Sequence, residues 1–197
     1  MLEERRIKTY RVAEGKSASS LEWRLASSSP SFLRPLLGRA WQRRRMLARG
    51  VNWRRVLFVA VDGEVAGYLQ FYLHGAGPHQ LSFAHMRDEF GITQAAWRFP
   101  LYQVLHRRFR GFDAYLYRIV VTEPFRGQGL GQRLLEAWLA LLEARGVAGA
   151  DLEVWGNNPQ AMTLYSSLGF VERRRLTIPV RASWLRDRQL IQMHRGG

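Results

Sequence analysis

Between Ala114 and Leu142 the sequence reads as a β-strand, a glycine-rich turn and a helix start in immediate succession. This order constrains how the rest of the chain can be arranged. Ala114 to Val121 is rich in aromatic and β-branched residues, and the run Ile119-Val120-Val121 suits a strand buried on both faces. Pro124 ends it. Gly127, Gly129 and Gly131 then leave backbone N–H groups uncovered at the first turn of a helix. That helix continues with Leu134, Leu135, Trp138, Leu139, Leu141 and Leu142 on a helical period. Free donors at the positive end of a helix dipole make a seat for phosphate. Arg133, a cation in the first helical turn, faces the wrong end of that dipole at a cost of roughly 0.3 to 1 kcal/mol unless an anion sits there. A pairing with Glu136, three residues on, accounts for it equally well.

Spacing decides which phosphate ligand is meant. No G-x-x-x-x-G-K-S/T occurs, so the turn is not a P-loop. A dinucleotide fingerprint, G-x-G-x-x-G, would place its last glycine on Gln132, although Glu153 lies near the distance expected of a ribose-binding acid. The string Arg126-Gly-Gln-Gly-Leu-Gly131 instead resembles the R/Q-x-x-G-x-G/A signature of the GNAT superfamily of acyl-CoA-dependent N-acetyltransferases. Two more pieces follow in the family's order. Leu152-Glu153-Val154 reads as the next strand, and Asn158-Pro-Gln-Ala161-Met-Thr-Leu164-Tyr165-Ser-Ser-Leu-Gly169-Phe170 is similar to its N-x-x-A-x-x-L-Y-x-x-x-G-F segment. The resemblance covers Tyr115 to Val180 well and the preceding strands loosely.

Elsewhere the chain supplies the elements such a core needs. Ile7 to Ala13 reads as a first strand, with amphipathic helices at Ser20 to Ala26 and Phe32 to Arg49, the latter closed by Gly50. Val56 to Val61, then Asp62-Gly63, then Val65 to Leu73 predicts a hairpin, because Asp-Gly supplies the positive φ angles of a type I′ turn. Gln189 to His194 supplies a last strand. The resemblance implies an α/β fold of GNAT type: a mixed, mostly antiparallel central sheet with a splayed parallel strand pair and flanking helices. Residues 1–197 are expected to form a single domain. Gly75 to Asp113 departs from the family by inserting helices between strands 3 and 4: Leu81 to Phe90, stopped by Gly91, and Ala95 to Phe109, kinked or broken at Pro100. His79, His85 and His106 within it lack metal-ligand spacing and are expected at the surface or in packing.

Composition narrows the chemistry. Cysteine is absent, which excludes disulfides, thiolate metal sites and an acyl-cysteine intermediate. No stretch approaches a membrane span and no apolar region follows the N-terminus, so a cytoplasmic protein is expected. The net charge of +14 would ordinarily suggest nucleic acid, but 28 of the 30 basic residues are Arg and they are spread along the chain. A general field attracting the phosphates of CoA fits better than a nucleic-acid role.

Site residues follow from the resemblance. Acetyl-CoA is the implied co-substrate, and no metal is implied. Pantetheine would slot beside Ile119, Val120 and Val121, with a main-chain N–H among them as oxyanion donor. The pyrophosphate would meet the turn Arg126, Gly127, Gln128, Gly129, Gly131, with Gln132 and Arg133. Asn158 and Tyr165 lie two helical turns apart on one face, and the resemblance makes Asn158 a bond to pantetheine and Tyr165 the acid at the sulfur. Tyr165 packed in the core is the alternative. Glu153 resembles the general base of ribosomal-protein N-terminal acetyltransferases, which share the E-V-x-x-x-N spacing; an ordinary solvent-facing strand residue is its alternative. Glu123 and Tyr117 stand in reserve. The implied activity is direct transfer of acetyl to a primary amine in a ternary complex, and the other reading is a non-catalytic acyl-CoA-binding regulatory domain. The amine acceptor is not identified by the sequence. The insertion is expected to cap the acceptor side or to form a homodimer interface.

Overall fold

The computed structural model describes residues 5–12, 17–28, 34–178 and 187–196. A seven-stranded sheet runs in the order β1-β2-β3-β4-β5-β7-β6. Its strands are β1 (Ile7–Tyr10), β2 (Val56–Val61), β3 (Glu64–Leu73), β4 (Ala114–Val121), β5 (Ala150–Trp155), β6 (Val171–Thr177) and β7 (Gln189–Arg195). Every neighbouring pair is antiparallel except β4 and β5, which run parallel. The Asp62-Gly63 turn between β2 and β3 has φ of 51° and 86°, the two positive angles that its residue types favour. Among the described residues seven helices flank the sheet: α1 (Ser20–Ala26), α2 (Arg34–Leu37), α3 (Ala40–Arg49), α4 (Phe83–Phe90), α5 (Ile92–Arg107), α6 (Leu130–Glu143) and α7 (Pro159–Ser167).

Strand alternation sorts the side chains onto two faces. On one face Leu69, Phe71, Leu116, Leu152, Val154 and Ile191 meet Leu134, Leu135, Trp138 and Leu142 of α6. Trp138 is fully buried there, and its truncation to Ala should cost about 3 to 5 kcal/mol through lost transfer energy and the cavity left behind. On the opposite face Val56, Phe58 and Tyr68 pack against Ala26 of α1. Further along it, Tyr72, Tyr115 and Tyr117 gather around Phe109.

The chain between β3 and β4 forms α4 and α5, joined at Gly91, whose φ of 79° ends one helix and starts the next. Ser82 caps α4 by accepting from the His85 amide, so that helix starts at Phe83, two residues later than the apolar pattern suggests. Pro100 does not break α5, which runs through it from Ile92 to Arg107, although a proline there leaves the carbonyl of Ala96, an exposed residue, without its helical donor. One side of α5, with Ala95 and Tyr102, packs on Leu37, Met46 and Leu47 of α2 and α3. The opposite side presents Trp97, Leu101, Val104 and Leu105 to solvent.

Three sequence expectations need correcting. Phe32 to Arg49 is not one helix: Gly38, at φ 77°, separates α2 from α3, and the Arg39 amide turns aside to the Gln42 side chain. Positions 29–33 lie outside the described residues. The first strand ends at Tyr10, and Ala13 is likewise outside them. The second inserted helix spans Ile92–Arg107 and gives way to a 3-10 turn at Arg108–Gly111.

Candidate active site

Six consecutive amides at the start of α6 are left without acceptors. Backbone bonding around the turn stops with Arg126 N to Glu123 O and resumes with Arg133 N to Gly129 O. The N–H groups of 127–132 in between have no hydrogen-bond acceptor among the described residues. Gly127 and Gly129 hold φ of 75° and 71°, and a Cβ on either would meet nothing within 4 Å. The glycines are therefore required by backbone conformation, and the space above them is open. Gly131 differs, because a Cβ there would sit 3.5 Å from Leu164 Cδ2, which places α7 beside the start of α6. Arg126 Nε donates to Val121 O at 3.3 Å and ties the turn to the end of β4. Gln128 is held by Pro124 O and by Arg5. Gln132 donates to Glu136 at 2.8 Å, so the carboxylate weighed as a partner for Arg133 is engaged by its neighbour instead. Arg133 itself is exposed and makes no ion pair among the described residues. The arrangement is a cationic, donor-only seat suited to a pyrophosphate.

Beside this turn the sheet opens. β4 and β5 pair only at Tyr115 with Asp151 and Leu116 with Leu152, while β4 continues against β3 as far as Val121. Thr122 N donates to Ala66 O of the β3 side, so alternation turns the amides of Val120 and Arg118 toward β3 as well. Those of Ile119 and Val121 face the opening. Val120 is thus the member of the predicted trio that cannot offer its amide, and its side chain packs on the α1 face.

Helix α7 borders the same opening. Asn158 is its N-cap, with Oδ1 accepting from Ala161 N at 3.2 Å, so this side chain already has a structural partner. Tyr165 is 6% exposed and packs edge-on against Phe170 in the α6-side core. Its hydroxyl has no hydrogen-bond partner among the described residues and is not sealed from solvent. Burial of the ring pushes its pKa up to about 12, which keeps the phenol protonated. Core packing and a protonated hydroxyl without a protein partner among the described residues are both present in this one residue.

Glu153 lies on the opposite face of the sheet from α6, together with Tyr115 and Tyr117. Its carboxylate is held by Arg108, which comes from the 3-10 turn ending the insertion. Arg108 also reaches the Tyr115 hydroxyl at 3.5 Å. Next to it Phe109 stacks on Tyr72 at a ring separation of 4.3 Å and meets Tyr115 at 4.8 Å. The register of β3 against β4 shifts after Gln70, which leaves Tyr117 as an extra residue and sends both Tyr117 and Arg118 to this face. Burial holds the Tyr117 phenol at about 12 and Tyr115 well above its ordinary value. Beyond Glu153 the face leads into a polar cavity of about 440 Å³ lined by Asp113, Asp151, Arg173 and His194 among others. Asp151 and His194 are paired there at 3.1 Å.

Glu123 sits in a 3-10 turn after β4, in the segment that leads into the phosphate turn. The sequence pattern did not single out Arg108, Tyr115, Gln70, His79 or Arg118 as site groups, although all five share the Glu153 face or border it. The one signal available was the cluster Arg107-Arg108-Phe-Arg110 at the end of an otherwise apolar helix.

Residues 21–170 match the family described as Acetyltransferase (GNAT) family. The chain is 48% identical over 60 residues to the [Ribosomal protein bS18]-alanine N-acetyltransferase of Escherichia coli K12, a stretch covering 30% of this chain and 40% of that one. The chain therefore spans well under half the length of the curated relatives it matches. Among solved structures, the ribosomal-protein-S18-alanine N-acetyltransferase from Escherichia coli superposes with a TM-score of 0.57 at 18% identity, over 97% of this chain and 94% of that one. A GNAT family acetyltransferase from Elizabethkingia anophelis with acetyl-CoA bound superposes at 0.55 and 12% identity, over 97% and 98% of the two chains.

Proposed function

The chain belongs to the acetyltransferase (GNAT) family, and from that premise we propose that it transfers acetyl from acetyl-CoA to the nitrogen of a primary amine by direct attack in a ternary complex. The observation that carries this reading is the run of six unpaired amides at 127–132 set beside the gap between β4 and β5. A pyrophosphate fits the first and an extended pantetheine arm the second. Acetyl-CoA supplies the activated acetyl group; the residues of this chain supply positioning and proton handling. The Ile119 or Val121 amide stabilises charge on the carbonyl oxygen as it develops. Tyr165 Oη gives its proton to the departing sulfur, while Glu153, directly or through water, receives the proton released by the attacking nitrogen. The carbon–nitrogen bond forms as the carbon–sulfur bond breaks, and no covalent enzyme intermediate is needed.

The insertion supports a role on the acceptor side. Phe109 and Arg108 place its end directly against Tyr72, Tyr115 and Glu153. Incubation with acetyl-CoA and a panel of amines, amino acids and peptides, with free thiol as readout, tests the proposal. Thiol release that requires an amine, and that falls in Tyr165→Phe, supports it. Bound acetyl-CoA that no amine discharges would leave only binding.

A further inference from the structure

Three polar side-chain atoms near the acceptor face are sealed from solvent without a partner: Gln70 Oε1, His79 Nδ1 and Arg118 Nη1. They belong to one group. Gln70 and Arg118 stand opposite each other across β3 and β4, and Gln70 Nε2 lies 3.5 Å from His79 Nε2. The Gln70 amide is oriented by its 2.7 Å bond to Ala26 O, so Oε1 is left as an acceptor. With Gln70 Nε2 taken as the donor across this contact, His79 Nε2 accepts and Nδ1 carries the hydrogen. Burial lowers the His79 pKa to about 3, which makes the ring neutral. Arg118 brings a guanidinium, which donates hydrogen bonds and accepts none. Its neighbours Tyr68 and Tyr117 are protonated phenols, and among the described residues no carboxylate pairs with it.

Orphaned buried polar groups are uncommon, and a set of two donors and one acceptor calls for an explanation; Arg118 is part-exposed and bonds the Tyr68 hydroxyl, but its Nη1 is sealed and no carboxylate among the described residues neutralises it. A bound water would satisfy three hydrogen bonds but would leave the cation unneutralised. A carboxylate answers both needs, because it accepts from Arg118 and from His79. The place is apt: Arg118 directly precedes Ile119, whose amide faces the gap. The segment Gly91 to Gly111 that borders this face contains four Arg and no Asp or Glu, one of them, Arg108, paired with Glu153.

We propose that Arg118 and His79 hold a carboxylate of the acceptor while Gln70 receives an N–H or O–H of the same molecule, so that the acceptors are small primary amines bearing a carboxylate. This rests on the acetyl-transfer reading above. The test uses matched pairs, phenylalanine with phenylalaninamide and β-alanine with β-alaninamide. Each is measured for thiol release with acetyl-CoA and for calorimetric binding to the complex of the protein with CoA. The carboxylate member should be favoured at least about tenfold, the scale of one charge-assisted hydrogen bond. Arg118→Met should lower the carboxylate member until the preference disappears, with Arg118→Lys retaining part of it and acetyl-CoA affinity serving as the folding control. If Arg118→Met does not fold, the wild-type pairs decide. Equal treatment of acid and amide, a preference that survives Arg118→Met, or no binding of any acid at millimolar concentration would overturn the proposal. Failure to bind acetyl-CoA, or to pass acetyl to any amine, would instead sink the transferase reading itself.

Discussion

The Arg108 guanidinium, at the end of the insertion, is ion-paired with the Glu153 carboxylate on β5 across 45 residues of chain. Arg108 is half exposed and Glu153 is 16% exposed, so the pair contributes at most about 1 kcal/mol to stability. In the proposed mechanism its value would lie in orientation, a carboxylate held by one cation meeting the amine from a fixed direction.

If the two residues act as a unit, Arg108→Met and Glu153→Gln should each lower kcat/KM by roughly 10- to 100-fold, and the double variant should be no worse than the poorer single one. Steady-state kinetics of the four proteins checks this. Independent, additive losses would mean that Glu153 works without its partner.

Two glycines of the turn, Gly129 and Gly131, should separate. Gly129→Ala should cost about 1 to 2 kcal/mol, because φ of 71° is strained for any Cβ even though the space is open. Gly129→Glu should in addition abolish CoA binding by placing a like charge over the free amides. Gly131→Ala should keep the stability nearly intact, since its methyl would make an ordinary 3.5 Å contact with Leu164. Thermal melts with and without CoA distinguish the three variants, and equal behaviour would show that the turn is not a conformationally defined seat.

Tyr165→Phe should reduce kcat by about 10²- to 10⁴-fold while leaving acetyl-CoA affinity nearly unchanged. With the phenol held protonated up to about 12, the rate of the wild type should show no fall attributable to this group between pH 6 and 9. A Phe variant with full turnover would reduce Tyr165 to the core packing that it also provides, and Tyr117 would be the next acid to test.

Acid should destabilise the fold through two histidines. Burial lowers His79 to about 3 and His106 to about 4, so both rings stay neutral in the folded chain and gain a proton only on unfolding. Their contribution is present above the ordinary histidine value near 6.5 and is lost as pH falls toward 4 and then 3. The melting temperature should therefore hold from pH 8 to 7 and drop below 6.5, by roughly 2 to 4 °C for each kcal/mol lost. A flat profile down to pH 4 would mean that the rings are solvated.

The sequence revealed what local chemistry determines. Asp62-Gly63 and the turn around Gly129 need positive φ, and residue type alone signals that need. A single glycine inside a helical pattern is usually tolerated and signals no break, whereas the left-handed conformation of Gly38 divides α2 from α3. Pro100 signals a break by residue type, but α5 continues through it because packing on α2 and α3 holds the helix on both sides of the proline. Glu153 and Tyr165 were picked out by motif, but their partners were not legible. Arg108 reaches Glu153 through the path of the insertion, and Arg118 shares its face with Tyr117 only because a register shift of one residue turns both the same way.

The most direct test of the central claim, that 127–132 seat the pyrophosphate, is an amide-resolved NMR titration with CoA. The N–H signals of Gly127, Gln128, Gly129 and Gly131 should shift most, with the amides of Ile119 and Val121 moving when acetyl-CoA replaces CoA. Saturable binding that leaves the 127–132 amides in place would contradict it.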